Sequence, residues 1–190
     1  MTIPIYSFSQ SPKKLKRRTY ANQFYDITEK GHLQTETFLF MENNQNNADN
    51  YFLPDIRFRY GLHEDLEIFA DIDLMYNKEQ NFGLIPLGFG FKVNVTEEKK
   101  YMPDIAFVTS VQFGNLASEN YRFNKIMPLI GVIANKKITE KLSLEMDYFI
   151  QWIDDEAYQT HILDLNAMYQ INEKFSFSAG FNYYTDELNK

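Results

Sequence analysis

The chain contains no cysteine, which excludes disulfides, thiolate metal sites and a cysteine nucleophile. It also lacks any apolar run approaching the roughly 20 residues that a bilayer-crossing helix needs. Basic residues are in deficit, 19 Lys+Arg against 26 Asp+Glu, and that balance disfavours a general nucleic-acid binder. Histidine is scarce. His32 and His63 fall at a strand start and in a turn and read as surface residues. His161 shares parity with Leu163 and Leu165; a lipid-facing hydrolase site would need a serine two positions on, where Leu163 stands. The glycines of "GFGFKV" lie inside a strand pattern and precede no helix, so they form no phosphate loop. No catalytic residue, cofactor or metal site is expected.

Aromatic residues are abundant instead, with 17 Phe and 13 Tyr in 190 residues, a length that predicts one domain with a real core. Their arrangement follows a two-residue period. In "LHEDLEIFADIDLMY" (62–76), Leu66, Ile68, Ala70, Ile72, Leu74 and Tyr76 share one parity, with Glu67, Asp71 and Asp73 on the other. Such alternation predicts a strand. "PDIRFRYGL", "LGFGFKVNV", "PDIAFVTSVQF", "LSLEMDYFIQW", "ILDLNAMYQI" and "FSFSAGFNY" behave alike, while "IMPLIGVIANKKI" and "LQTETFLFM" alternate less cleanly. The pattern predicts nine strands and no helix.

The connections alternate in length. "HED", "TEEKK", "TEK" and "NEK" are short, whereas "ENNQNNADN", "NKEQN", "NLASENYRFN" and "DDEAYQ" are longer and polar. Leu62 to Val95 and Ile138 to Ile171 are equal intervals of 33 residues, each one strand up and one down. This is a hairpin meander with a short-turn end and a long-loop end. Pairing across "HED", with Leu62 opposite Leu66, places Arg57 opposite Asp71 and Asp55 opposite Asp73. Pairing Val95 with Tyr101 places Lys92 opposite Asp104. The two opposite-charge pairs contribute about 0.2–1 kcal/mol each, whereas Asp55 against Asp73 is repulsive unless Arg57 or a proton serves both.

An antiparallel meander with one apolar face suits either a soluble barrel, apolar face inward, or a membrane barrel, apolar face outward. Three features favour the second. Aromatics stand at both strand ends, Tyr60, Tyr101, Tyr169 and Phe175 near the short turns and Tyr76, Phe113, Trp152 and Tyr183 near the long loops, as in two interfacial girdles. The polar face is small in places, with Gly88, Gly90, Ser176, Ser178, Gly180 and Asn182, which fits a narrow lumen better than a solvated outer surface. Finally, short turns at one end and long loops at the other are the habit of outer-membrane barrels. The expected fold is an all-β, up-and-down meander barrel of nine or ten strands, membrane type, over residues 31–190, preceded by an irregular N-terminal segment, 1–30. Its expected lumen residues are Arg57, Arg59, Glu67, Asp71, Asp73, Lys92, Asp104, Glu145 and Asp147.

The stretches "EKGHLQTETF", "LPDIRFRYGLHEDLEIFADIDL", "GLIPLGFGFKVNVTEEKKYMPDIAFVTSVQF", "KKITEKLSLEMDYF" and "YQINEKFSFSAGFNYY" resemble the small outer-membrane barrels grouped as meta-pathway phenol-degradation or transporter proteins, in a Bacteroidota-like version. The resemblance runs from about residue 29 to 184. It implies a bacterial outer-membrane location, the lipid bilayer as partner and passage of small hydrophobic or aromatic compounds, and it brings no catalytic residues. Two features depart from that pattern. The basic cluster Lys13, Lys14, Lys16, Arg17 and Arg18 is followed by no apolar signal-peptide core. Nine strands are odd where single-chain bacterial barrels are even, so a tenth strand is expected to be missing from the chain, unless "IPIYSFSQ" supplies it. Two other readings stay open: a plugged structural or adhesive barrel acting through loops 42–50 and 115–124, and a soluble lipocalin-like binder of an apolar ligand.

Overall fold

Residues 5–6, 26–42, 50–79, 81–153, 158–172 and 175–188 are described by the computed structural model. The strands are β1 (Ile5–Tyr6), β2 (Leu33–Glu42), β3 (Asn50–His63), β4 (Leu66–Asn77), β5 (Asn81–Leu84), β6 (Leu87–Thr96), β7 (Asp104–Phe113), β8 (Ile126–Lys137), β9 (Leu142–Ile153), β10 (Tyr158–Gln170) and β11 (Ser176–Leu188). They form one antiparallel sheet in the order β1-β2-β3-β4-β6-β7-β8-β9-β10-β11, with β5 folded back onto β4. Two single-turn 3-10 helices, Gly114–Leu116 and Glu119–Tyr121, stand in the β7–β8 loop, and no α-helix occurs among the described residues.

All nine strands of the two-residue pattern are present. A two-residue tenth strand lies in the N-terminal stretch "IPIYSFSQ", where Ile5 and Tyr6 pair with Leu39 and Phe38. Among the described residues no pairing joins β11 to β1 or β2, so the sheet is open. The basic cluster 13–18 and the loop residues 43–49 and 154–157 lie outside the described residues.

The repeated turn has a local cause. Thr139 Oγ1 accepts the N–H of Leu142 (3.0 Å), and Asn172 Oδ1 accepts that of Phe175 (3.1 Å). Each is a polar side chain taking the amide three residues on, a short-range bond that bends the chain back. In both copies the preceding isoleucine, Ile138 or Ile171, donates its N–H to the carbonyl of Leu142 or Phe175. The same hydrogen-bonding scheme thus underlies both "ITEK" and "INEK".

Register follows the pattern in one hairpin and departs in another. Arg57 stands opposite Asp71 and Asp55 opposite Asp73, as the arithmetic predicts. Leu62 does not face Leu66, because the ladder shifts between Gly61 and His63 and pairs His63 with Leu66. In the β6–β7 hairpin Lys92 faces Val108, not Asp104, and Tyr101 stays in the turn. The connection there runs through Pro103, which has no N–H for the ladder; the Thr96 hydroxyl bonds its carbonyl at 3.0 Å. Lys92 faces Glu67 on β4 instead, and Asp104 faces Asn135 on β8.

The sheet curls so that its polar face is buried. Arg59 (1% exposed), Glu67 (1%), Lys92 (3%), Glu145 (3%) and Asp147 (1%) are inside, while Ile68 (43%), Phe89 (46%) and Met146 (51%) are outside. The inward face also holds an apolar cluster, Phe69, Ala106, Val108 and Ile133, against which Phe149 packs. Close packing there needs small residues opposite large ones. A side chain on Gly90 would collide with the Phe69 ring, the Thr109 carbonyl and Ser110.

Candidate functional site: the charged inner face

Arg57, Asp71, Arg59, Glu67 and Lys92 converge on the inner face of β3, β4 and β6 because each occupies the parity opposite to the apolar row. Arg57 grips Asp71 with two parallel bonds, Nε to Oδ1 at 2.6 Å and Nη2 to Oδ2 at 2.9 Å. Its guanidinium also lies over the Phe69 ring, 4.8 Å from the centroid. Arg59 makes the same fork to Glu67, Nε to Oε1 at 2.9 Å and Nη2 to Oε2 at 2.8 Å, and reaches Glu36 Oε1 on β2 at 2.7 Å. Lys92 Nζ joins Glu67 Oε1 at 3.1 Å. Bidentate, charge-assisted bonds of this sort fix geometry as well as charge. Glu67 is their centre: it serves two cations, and its Oε2 also accepts the Thr28 N–H at 2.7 Å.

That last bond belongs to a strap that pattern reading did not find. Residues 26–29 enter the curl of the sheet: Arg59 Nη2 and Lys92 Nζ (2.6 Å) both donate to the Asp26 carbonyl, and Thr28 is buried. The strap passes so close to Gly61 that a side chain there would meet the Thr28 and Glu29 carbonyls. Three of its polar contacts, to Arg59, Glu67 and Lys92, run through the main-chain atoms of Asp26 and Thr28, which any residue type would supply. Glu36 was missed for a related reason, since β2 alternates poorly; the signal available was its place opposite Arg57.

The remaining lumen candidates lie around this network, with Lys92 attracting Asp104, Glu145 and Asp147. Asp55 and Asp73 oppose each other towards the long-loop end of β3 and β4. Asp104, Glu145 and Asp147 lie on the inner face of β7 and β9, where Asn135 faces both Asp104 and Glu145 and Asp164 faces Asp147. The Oδ1 atoms of Asp104 and Asp147 find no hydrogen-bond partner among the described residues, and neither oxygen of Glu145 has one of normal geometry. Asp164 accepts the Asn182 amide at 2.6 Å.

Outside, the expected aromatic positions divide. Tyr60, Tyr76, Tyr101, Tyr169, Phe175 and Tyr183 are exposed, while Phe113 and Trp152 are half-buried, Phe113 with its ring edge against Phe89, centroids 5.9 Å apart. His32 and His63 are exposed, as expected. His161 lies on the outer face with Nδ1 2.6 Å from the Tyr148 hydroxyl, a pair across β9 and β10 whose spacing carried no sequence signal.

No family model, no curated protein and no solved structure matches the chain.

Proposed function

We propose that the curled sheet is the wall of an outer-membrane β-barrel of transporter type, with a narrow charged interior that sets what passes. The observation that supports this reading is the inversion of the two faces. Buried carboxylates, guanidinium groups and an amine line the inside, while Ile68, Phe89, Phe91, Val132, Leu144, Met146, Leu165, Phe177 and Phe181 are exposed outside. A water-soluble protein exposing so continuous an apolar surface would aggregate; hydrocarbon makes the same surface an asset, and the polar residues then face the lumen. Exposed tyrosines near the strand ends fit the two interfaces. A soluble binder of an apolar ligand requires the opposite arrangement. The resemblance to the phenol-degradation barrels, with their small hydrophobic or aromatic compounds, belongs to this same proposal.

A plugged barrel is the second reading, and the strap favours it: Asp26–Glu29 occupies the interior beside the Arg59–Glu67–Lys92 network. The loop over 115–124, which would carry an adhesive role, is pinned down, with the Tyr121 hydroxyl on the Asn81 carbonyl at 2.7 Å.

One experiment separates these readings. Protein refolded in detergent is compared boiled and unboiled on a gel, then placed in liposomes. A compact band that shifts on boiling, with solute flux that responds to Arg57→Ala or Asp71→Asn, is the expected result. A heat-modifiable band without flux leaves the plugged barrel; protein that stays soluble without detergent and shows no shift removes the membrane reading.

A further inference from the structure

The outer face near the short turns is sunken, and the sunken part leads to charge. Ala167 of β10 stands opposite Ala179 of β11, between the Leu165–Phe181 pair on one side and the Tyr169–Phe177 pair on the other. All four larger side chains are exposed, so the two methyl groups leave the surface low between them. The result is a groove of about 580 Å³ that crosses β10 and β9 past Leu144 and ends at Lys136 and Pro103. That volume suits one small molecule or one chain of a larger one.

Lys136 also lines a second depression, of about 430 Å³, between the β6–β7 and β8–β9 turns. Its walls carry Lys99, Lys100, Lys136 and Lys137 against Glu98 and Glu140, an excess of positive charge; Glu97 and Lys141, beside them in the same turns, cancel each other. Lys136 is committed to holding the two turns together, its Nζ bonding Glu98 Oε1 at 3.0 Å and the carbonyls of Lys99 and Met102. Glu98 is thereby used as well, and Lys99, Lys100 and Lys137 stand exposed with Glu140 as the remaining acid of the depression. The Lys100 amine lies over the Tyr101 ring, 5.2 Å from its centroid, a face contact that leaves ammonium hydrogens for another acceptor.

An apolar groove that opens into a cationic depression has the complementary shape and charge of an anionic amphiphile. We propose that the two together form one seat for an anionic phospholipid, with an acyl chain along Ala167 and Ala179 and the phosphate among Lys99, Lys100 and Lys137. The charge excess selects an anionic head over a zwitterionic one, and the groove selects a lipid over a free phosphate. In the membrane reading the short turns lie at one interface, which puts the head at headgroup depth and the chain in hydrocarbon. The setting rests on that reading; the joining of groove and charge does not.

The full-length protein, refolded in an uncharged maltoside detergent, is titrated with phosphatidylglycerol, with phosphatidylcholine of the same chains and with glycerol 3-phosphate, and bound molecules are counted by native mass spectrometry. A single phosphatidylglycerol is expected to bind at least about tenfold more tightly than either other probe. Lys99→Gln/Lys100→Gln/Lys137→Gln is expected to bring the preference over phosphatidylcholine below about twofold, whereas Ala167→Leu/Ala179→Leu fills the groove and weakens both lipids by a common factor of about three or more. Equal binding of the two lipids, glycerol 3-phosphate binding as tightly as the lipid, a preference that survives the lysine substitutions, or a dimer that excludes lipid overturns the proposal. The wild-type comparison is decisive by itself should a variant fail to fold. A lipid preference in protein that shows no heat-modifiable band removes the membrane reading and keeps the seat; heat-modifiable protein without the preference removes the seat alone.

Discussion

The two halves of the inner face solve the same problem differently. From β2 to β6 every charge singled out around Glu67 has an opposite charge within bonding distance: Arg57 with Asp71, Arg59 with Glu67 and Glu36, Lys92 with Glu67. From β7 to β10 the buried charges of the inner face are acidic, Lys137 being exposed at the strand end, and Glu145 and Asp147 are as buried as Glu67. Burial therefore goes with ion pairing in one half and with acids facing amides and one another in the other. In the first half the ion pairs around Glu67 hold the strap, although Asp55 against Asp73 is a like-charge pair there too. The second gathers acids around Asn135, and the buried cation that attracts Glu145 and Asp147 is Lys92 of the first half.

Breaking the paired half gives the largest expected effect. Glu67→Gln leaves Arg59 and Lys92 buried and removes the anionic acceptor for the Thr28 amide, so it is expected to cost about 3–5 kcal/mol and to free the strap. A denaturant midpoint, together with faster proteolysis near residues 26–29, checks both parts. At the seam between the halves, Gly90→Val forces a side chain into the Phe69 ring and the Thr109 carbonyl; overpacking of that kind is expected to cost about 1–3 kcal/mol, read from the same midpoint. Asp147→Asn is expected to move stability least, leaving the midpoint unchanged or raising it by up to about 1 kcal/mol, since it removes a buried charge without orphaning a cation. A loss as large as that of Glu67→Gln would show that the attraction between Lys92 and Asp147 holds the fold as the pairs around Glu67 do, and would erase the contrast between the halves.

Most of the fold was legible because alternation and turn chemistry are local. The nine long strands, the Arg57–Asp71 pair and the inward parity of all nine charged candidates follow from period two and one turn. The β6–β7 register was not, since Pro103 lengthens the turn, and a shift of the ladder moves Lys92 from Asp104 to Val108. The Lys92–Glu67 bridge is consequently invisible until β6 is laid beside β4. The strap was illegible for another reason: hydrogen bonds through main-chain atoms leave no trace in side-chain pattern. Phe69 and Ile133 broke the polar row and gave a usable signal, because apolar residues on a charged face announce a packed interior layer.

In this meander each long strand from β2 to β11 pairs only with strands that precede or follow it, β5 excepted. The smallest piece that can be gained or lost without reversing a strand is then a hairpin, and the equal Leu62–Val95 and Ile138–Ile171 intervals have that size. A barrel assembled from such units can change circumference in steps of two strands while every remaining strand keeps its direction and its charged side. The extent of such a sheet changes in whole hairpins, whereas the chemistry of its inner face changes one inward position at a time.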